Sequence, residues 1–181
     1  MSELQAETSW FHVFKTMIES GDVANIGPYA FTVYCIIKAH TNFKTGESFP
    51  SVELIATKSG ISVAQVKREL KTLESAGYIT KEKRGRFNRY TLREKVEIQD
   101  DQGRPAAIAT WDYLPSGVKE AMAELKNVLM TGDFGSAKIV QIEKIELQVN
   151  INHVSDGGVV INAHKSPIGD ETLATLKAHL K

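Results

Sequence analysis

Three stretches in the first half of the chain have apolar residues at helical spacing, and short polar turns separate them. The first stretch, residues 29–40, follows Pro28, which suits a first helical position because no N–H is needed there. Ser51 stands before a short second stretch that Gly60 closes, and Ser62 stands before a third stretch that runs to about Ala76. Serine at these positions is typical of helix N-caps. The pattern predicts a helix, a short helix, a tight turn and a longer helix.

A β-hairpin rich in lysine and arginine is predicted directly after the third helix. Gly77 suits the position just beyond a helix C-terminus. A strand is expected to start at Tyr78 and to continue to Arg84, with a turn over residues 85–88. The returning strand is expected over residues 89–93.

The second half of the chain predicts a linker, a helix and a second hairpin. Residues 98–111 are predicted as the linker because Gln99–Pro105 is polar, rich in turn residues and without periodicity. A helix with apolar residues at i, i+3 and i+4 is expected between a capping Ser116 and Gly132. The expected order is then an alternating strand with a bulge near 143–144, a turn at 156–158, a return strand at 159–161 and a terminal helix at 171–180.

The N-terminal region gives a mixed signal. Residues 1–8 are polar, and fraying is expected there. In the next segment Phe11 and Val13 alternate as in a strand, whereas Phe14, Met17 and Ile18 have helical spacing. The pattern leaves both alternatives open.

The charge is unevenly distributed although the net charge is zero. Residues 28–95 contain 13 Lys/Arg and 6 Asp/Glu, a net charge of +7. The rest of the chain contains 9 Lys/Arg and 16 Asp/Glu, a net charge of −7. This asymmetry indicates an anion-binding surface in the middle of the chain.

Several classes of protein are not expected. No apolar run approaches the roughly 18 residues that span a bilayer, and the N-terminus lacks the pattern of a secretory signal, so a cytoplasmic protein is expected. The single Cys35 excludes an intramolecular disulfide and any multi-cysteine zinc site. The five histidines lack metal-ligand spacing, and no catalytic arrangement or phosphate-binding loop is present. We expect no enzyme, no metal and no cofactor.

The third helix is predicted to recognise DNA. Val66, Leu70 and Leu73 share one side that must face a core, while the other side carries polar and cationic residues. Arginine and glutamine read base edges in a major groove, and lysine neutralises phosphates. The predicted DNA-binding residues on or before the two helices are Ser51, Ser62, Ala64, Gln65, Lys67, Arg68, Lys71 and Thr72. The two serines are included because helix N-termini offer N–H groups to phosphates.

The hairpin is predicted to add a second contact to the DNA backbone or minor groove. Its predicted DNA-binding residues are Lys83, Arg84, Arg86, Asn88 and Arg89. Glu82 and Glu94 are the only acidic residues nearby in sequence, so the arginines cannot all pair locally. Arginine is attracted to narrow minor grooves, as in A-tracts. The alternative is a solvated hairpin with no partner.

The order of these elements is that of a winged helix-turn-helix, and the residues resemble a family. The chain is similar to the winged helix-turn-helix domains of bacterial plasmid and phage replication and regulatory proteins over about residues 11–97. The residues that carry the resemblance are Thr41-Asn42, Gly46, Phe49-Pro50-Ser51, Leu54-Ile55-Ala56, Gly60-Ile61-Ser62, Val66, Lys67-Arg68, Leu70, Leu73 and Gly77-Tyr78-Ile79. Residues 11–14 resemble a short strand before the first helix of those domains. The resemblance implies DNA binding.

We therefore expect an α+β protein of two parts. Residues 11–97 are predicted to be the winged helix-turn-helix domain, and residues 112–181 are predicted to be a self-association domain giving a homodimer or larger oligomer. The expected function is sequence-specific binding of double-stranded DNA by a transcriptional repressor or copy-control regulator of a mobile element. The lack of a second winged helix after residue 100 favours a regulator over a replication initiator. The alternatives are a replication or partition accessory protein, and a protein-interaction adaptor that binds no DNA.

Overall fold

The computed structural model of the protein describes residues 9–150 and 160–167, and the chain divides into two compact units. Unit 1 comprises the chain up to Arg93 together with Tyr113–Ser116, and unit 2 comprises Glu94–Asp112 and the chain from Gly117 onward. The helices are α1 Lys15–Glu19, α2 Asp22–Ile26, α3 Pro28–Ala39, α4 Val52–Ser59, α5 Val63–Ser75 and α6 Val118–Thr131. The strands are β1 Glu47–Ser48, β2 Ile79–Arg84, β3 Phe87–Gln99, β4 Pro105–Asp112, β5 Gln141–Asn150 and β6 Val160–Pro167. Among these helices, none combines the length and the apolar character needed to cross a bilayer.

Helices α3, α4 and α5 pack against one another and form the core of unit 1. Their boundaries confirm the sequence predictions: Pro28 opens α3, and Ser51 and Ser62 cap α4 and α5. Three residues separate α4 from α5, and Gly60 begins this turn with a φ of +70°. The core residues of the three helices with no exposed surface are Ala30, Val33, Ile37, Ile55, Val66 and Leu73.

The N-terminal segment contains no strand at residues 11–14, so of the two open alternatives the strand that the resemblance implied does not form. His12 packs edge-on against Phe14, with the ring centroids 4.6 Å apart, and against Tyr113 at 5.5 Å. The segment is therefore held by packing of its side chains, and within the described chain it pairs with no strand. The helical period is the one realised, from Lys15 onward, with Met17 buried.

Strands β1 and β2 pair with the first part of β3 in unit 1, and both pairings are antiparallel. We call residues 79–92 the basic hairpin; its register runs from Ile79 opposite Leu92 to Arg84 opposite Phe87. The connecting turn is shorter than the predicted turn over 85–88. It contains only Gly85 and Arg86, because φ is +59° at Gly85 and a two-residue turn then matches the twist of the strands. Phe87 and Asn88 therefore belong to β3.

Residues 98–111 form the end of β3, a tight turn and β4, so the predicted linker is instead a hairpin of unit 2. Asp100 organises the turn: its Oδ1 accepts from the N–H groups of Gln102 and Arg104, each at 2.9 Å. Its Oδ2 accepts from Nε of Arg104 at 2.8 Å. Strand β4 buries Ala107, Ala109 and Trp111. Pro105 fits because the first residue of a strand tolerates proline.

Helix α6 covers the apolar positions expected for it and buries Ala121, Leu125 and Val128. Its N-cap is Gly117, so the predicted capping by Ser116 was wrong. Ser116 lies in a 3-10 turn, Pro115–Gly117, and its N–H donates to the carbonyl of Phe43 at 3.1 Å. Gly132 ends the helix with a φ of +65°, as predicted.

Strand β5 pairs with β4 on one side and with β6 on the other. Its register to β6 is continuous from Glu143 to Asn150, so the predicted bulge near 143–144 does not form. The bulge was predicted because Val140 and Ile142 alternate out of phase with Ile145, Leu147 and Val149. Val140 lies before the strand begins, so only Ile142 of that pair is part of β5. The predicted turn at 156–158, the terminal helix at 171–180 and the polar residues 1–8 lie outside the described residues.

A single carboxylate in unit 2 organises the segment that leads into β5. Oε1 of Glu124 on α6 accepts from the N–H groups of Lys138, Ile139 and Val140 at 3.0, 2.8 and 2.8 Å. Burial raises the pKa of this carboxyl, but the three backbone donors outweigh burial, and the net pKa lies below the ordinary value of 4.5.

We expect Glu124→Gln to destabilise the protein by roughly 1–2 kcal/mol at neutral pH, because hydrogen bonds to a charged acceptor are replaced by weaker ones. A carboxyl with a lowered pKa stabilises the fold above its unfolded pKa and loses this effect as the pH falls through the folded value. The difference in unfolding free energy between the wild type and the variant is therefore expected to shrink below about pH 4.5.

Urea unfolding at several pH values measures this difference. The control is Glu120→Gln, which changes an exposed carboxylate one turn earlier on the same helix. A Glu124→Gln effect equal to that of the control at pH 7 would contradict the assignment.

Candidate nucleic-acid interface

Helix α5 has one buried face and one polar face, as its pattern predicted. Val66, Leu70 and Leu73 are buried, at 0%, 2% and 0% exposure. On the opposite side Ala64, Lys67, Arg68 and Lys71 are exposed, and Gln65 and Thr72 are half-buried. Lys67 and Lys71 form no ion pair with any residue of the described chain. The exposed face of α5 therefore carries three cationic side chains within five residues.

Two of the predicted base-reading side chains are held by their own helix. Nη2 of Arg68 donates to Oε1 of Gln65, and Nε2 of Gln65 donates to Oε1 of Glu69. Glu69 is buried at 8% exposure and was not among the predicted DNA-binding residues. Its position one turn after Gln65 is the signal that could have revealed it. The three side chains form a chain of contacts that orients Gln65 and Arg68 before any ligand arrives.

The two serines act as helix caps. Oγ of Ser51 accepts from the N–H of Leu54 at 3.0 Å, and Oγ of Ser62 accepts from the N–H of Gln65 at 3.2 Å. Both serines are exposed, so each hydroxyl group can also donate its proton to an anion. The N-terminal ends of α4 and α5 therefore combine a hydroxyl donor with the positive end of a helix dipole.

The tip of the basic hairpin is cationic and solvent-exposed. Lys83, Arg84 and Arg86 are exposed, and none of them forms an ion pair with another residue that the structure describes. The half-buried Asn88 donates from Nδ2 to the hydroxyl of Tyr90 at 3.1 Å. The first three side chains are available to an anionic ligand, whereas Asn88 is occupied within the hairpin.

Arg89 lies in a different environment from the other arginines of the hairpin. Nη1 lies 2.6 Å from Oε1 of Glu47 in β1, and Nη2 contacts Oε2 of Glu82 in β2. These hydrogen bonds, first to Glu47 and then to Glu82, raise the pKa of the guanidinium above its ordinary value. Glu47 could not be predicted as a partner of Arg89 because 42 residues separate the two in sequence. Arg89 thus joins β1, β2 and β3, and it is less free to bind an anion than Arg84 or Arg86.

Two more basic residues of the central region do not contribute free positive charge. Lys38 is buried at 2% exposure, with Nζ 4.2 Å from the ring centroid of Tyr113 and 3.4 Å from the hydroxyl of Tyr34. Lys81 pairs with Glu74 at 3.0 Å. Exposed cations without an ion pair in the described chain therefore occur on α5 and at the tip of the hairpin, and also at Lys44 and Lys58.

A cleft of about 480 Å³ lies beside His40, Asn42, Glu47 and Phe49. Its polar groups already have partners within unit 1: Oδ1 of Asn42 accepts from two N–H groups, and Glu47 binds Arg89. Among the described residues no group of three or more His, Cys, Asp or Glu could hold a metal ion. Cys35 lies apart from these groups, and burial raises the pKa of its thiol despite the nearby Lys38.

Comparison with known families finds a match that includes α5. Residues 24–79 match a family model described as a helix-turn-helix domain. The matched segment, which is less than half of the chain, is similar to helix-turn-helix domains. The match contains α3, α4 and α5 and ends at the first residue of β2. No curated protein and no solved structure gives a significant match to the chain.

A helix-turn-helix domain suggests DNA binding, and the positions of the candidate residues agree with such a role. The matched segment brings together Ser51, Ser62 and the exposed face of α5, whereas the hairpin tip lies beyond it. The contacts of Lys83, Arg84 and Arg86 with DNA remain predictions, as do those of the α5 residues.

Proposed function

We propose that the protein binds double-stranded DNA in a sequence-specific manner through a winged helix-turn-helix, without enzymatic activity. The observation that carries the proposal is the exposed cationic face of α5 within a helix-turn-helix domain. The basic hairpin follows α5 directly and takes the role of the wing. The net charge of +7 over residues 28–95 supports the same role.

The proposed mechanism separates base reading from phosphate binding. In this mechanism Arg68 and Gln65 read base edges in the major groove: Arg68 is exposed on α5, and the half-buried Gln65 beside it is oriented by Arg68 and Glu69. Lys67 and Lys71 neutralise phosphates on either side of the groove, and Ala64 and Thr72 contact the groove wall. Ser51 and Ser62 donate their hydroxyl protons to phosphates at the two helix N-termini.

The biological role that we propose is that of a repressor or copy-control regulator of a mobile element. Its support is the resemblance of residues 11–97 to domains of plasmid and phage proteins. A replication or partition accessory protein uses the same surface and is the second candidate. An adaptor that binds proteins through a winged helix is the third, and duplex binding separates it from the other two.

Selection of duplexes from a random pool by the full-length protein tests the proposal. A recovered consensus sequence, with affinity that falls steeply as salt rises, is the expected result, because phosphate contacts release counterions. Recovery of random sequences with no salt dependence would overturn the proposal and favour the adaptor.

We expect replacement of both Arg84 and Arg86 by alanine to weaken binding to every duplex. Each lost contact between an arginine and a DNA phosphate should reduce the slope of log affinity against log salt by about one unit. Because both side chains are exposed and form no ion pair in the described chain, the melting temperature should stay nearly unchanged. Gel-shift titrations at several salt concentrations and thermal unfolding measure the two effects.

Arg89→Ala is the matched control for this double variant. It removes an arginine from the same hairpin but breaks contacts with Glu47 and Glu82, so it should lower the melting temperature. Equal melting temperatures for the control and the wild type, or an unchanged affinity for the double variant, would contradict these roles.

We also propose that the protein associates with itself, because two copies read two half-sites and multiply specificity. Light scattering of the full-length protein at micromolar concentration is expected to show a dimer or larger oligomer. A monomer would contradict the proposal. Truncation near residue 101 is unsuitable as a test because it removes Tyr113, which is part of unit 1.

A further inference from the structure

Phe87 is a large apolar residue at the tip of the basic hairpin, and 66% of its surface is exposed. It lies directly across the strand pair from Arg84, with the turn Gly85-Arg86 between them. Lys83 lies on the neighbouring position of β2 and is also exposed. Phe87 therefore shares the hairpin tip with three cationic residues that form no ion pair with described residues: Arg84 directly opposite it, Arg86 in the turn, and Lys83 on the other face.

The face of the hairpin that carries Phe87 has no unpaired carboxylate near the tip. Alternation along the strands places Phe87 and Arg84 on the same face as Arg89 and Glu82, two residue pairs closer to the tip. Arg89 binds both Glu82 and Glu47, which neutralises these two acids and ties the base of the hairpin to β1. The tip thus presents one aromatic ring and positive charge, and the part of the hairpin behind it is held in place by the contacts of Arg89.

This combination fits a ligand with anions outside and flat apolar surfaces inside. A DNA duplex has this chemistry, since phosphates line the groove and stacked bases lie within it. Proteins that bind the minor groove insert apolar side chains between base pairs and kink the duplex. An exposed phenylalanine without cationic neighbours would lack the attraction to phosphates that brings it to a groove.

We propose that Phe87 is a wedge that enters the minor groove beside the site read by α5 and partly separates two stacked base pairs. Arg84 and Arg86 bind the phosphates on the two sides of the groove. The inference rests on the proposed duplex binding and adds a distinct sequence preference. A wedge favours flexible pyrimidine–purine steps such as TA, whereas arginine alone favours the narrow groove of stiff A-tracts.

The test uses the full-length protein and a duplex selected by it, with 2-aminopurine placed in turn at each step of the flanking sequence. The wild type is expected to raise the fluorescence at one pyrimidine–purine step, because the probe brightens when it unstacks. Phe87→Ala is expected to abolish this rise and to weaken binding roughly tenfold, the scale of losing one aromatic–base contact. Phe87→Trp is expected to retain both properties.

Phe43→Ala is the matched control, since Phe43 is 64% exposed in the same unit but lies outside the hairpin. It is expected to leave both the fluorescence and the affinity unchanged. The melting temperature of Phe87→Ala should equal that of the wild type, because an exposed ring contributes little to folding.

Each other outcome overturns the wedge in a recognisable way. If the wild type binds its selected duplex but no step brightens, the wedge is wrong and the duplex-binding proposal stands. Weaker binding by Phe87→Ala without unstacking in the wild type would place the ring on the sugar-phosphate backbone instead. Failure to bind any duplex, with Phe87-dependent binding to phosphatidylserine vesicles, would overturn both proposals.

Discussion

Gly46→Ala is expected to destabilise unit 1 by roughly 2–5 kcal/mol. Gly46 has a φ of +71°, a left-handed conformation that costs an alanine about 1–2 kcal/mol. A Cβ at this position would also lie 2.7 Å from the carbonyl oxygen of Tyr113. That oxygen belongs to the backbone, so it cannot move without shifting the chain, and overpacking of this kind typically costs about 1–3 kcal/mol more.

Gly60→Ala is the control that separates the two causes. Gly60 has nearly the same φ, +70°, but a Cβ there would meet no atom within 4 Å. We expect this variant to lose only the conformational part, about 1–2 kcal/mol. Urea unfolding measures both variants, and equal losses would show that the contact with Tyr113 is unimportant.

The second large effect is expected for Arg68→Ala on the selected duplex. Loss of a base-reading arginine costs about 1–3 kcal/mol, which corresponds to a roughly 5- to 150-fold weaker affinity. Preference at one base position should relax at the same time. Because Nη2 of Arg68 binds Oε1 of Gln65, the effects of Arg68→Ala and Gln65→Ala should not be additive in a double-mutant cycle.

Lys71→Ala is the control for Arg68→Ala on the same face of α5. Loss of a phosphate contact should weaken all duplexes alike and reduce the salt slope by about one unit. Gel-shift titrations on the selected and a scrambled duplex separate the two patterns. An Arg68→Ala variant that loses equal affinity for both duplexes would contradict base reading.

Helices α3, α4 and α5 of unit 1 could be predicted because local contacts determine their ends, whereas the short α2 was not predicted. Ser51 and Ser62 bond to N–H groups three residues later, and Gly60 adopts a conformation that glycine favours. These effects depend on residues within one turn of each other, so a sequence pattern reveals them. The same locality explains why the exposed face of α5 could be predicted in advance.

The features that escaped prediction depend on residues far apart in sequence or on weak local signals. Strand β4 buries Ala107 and Ala109, and alanine has low strand propensity, so a polar segment with Pro105 resembled a linker. The pairing of Arg89 with Glu47 and the burial of Lys38 against Tyr113 arise only when β1 and residue 113 are in place. The charge count of the sequence includes Arg89 and Lys38, but in the fold Arg89 is paired and Lys38 is buried, so neither adds free positive charge to the surface.

The return of the chain to unit 1 at Tyr113 has a consequence for synthesis on the ribosome. The buried ring of Tyr113 lies over Nζ of Lys38, and its N–H donates to the carbonyl of Leu92 at 2.8 Å. During synthesis, the core of unit 1 is therefore incomplete until Tyr113–Ser116 have been made, after β4. Helices α3, α4 and α5 are made earlier. A transplanted or fused domain must likewise carry residues 113–116, since a fragment cut at residue 97 removes the ring of Tyr113 from Lys38 and leaves Tyr34 as its aromatic neighbour.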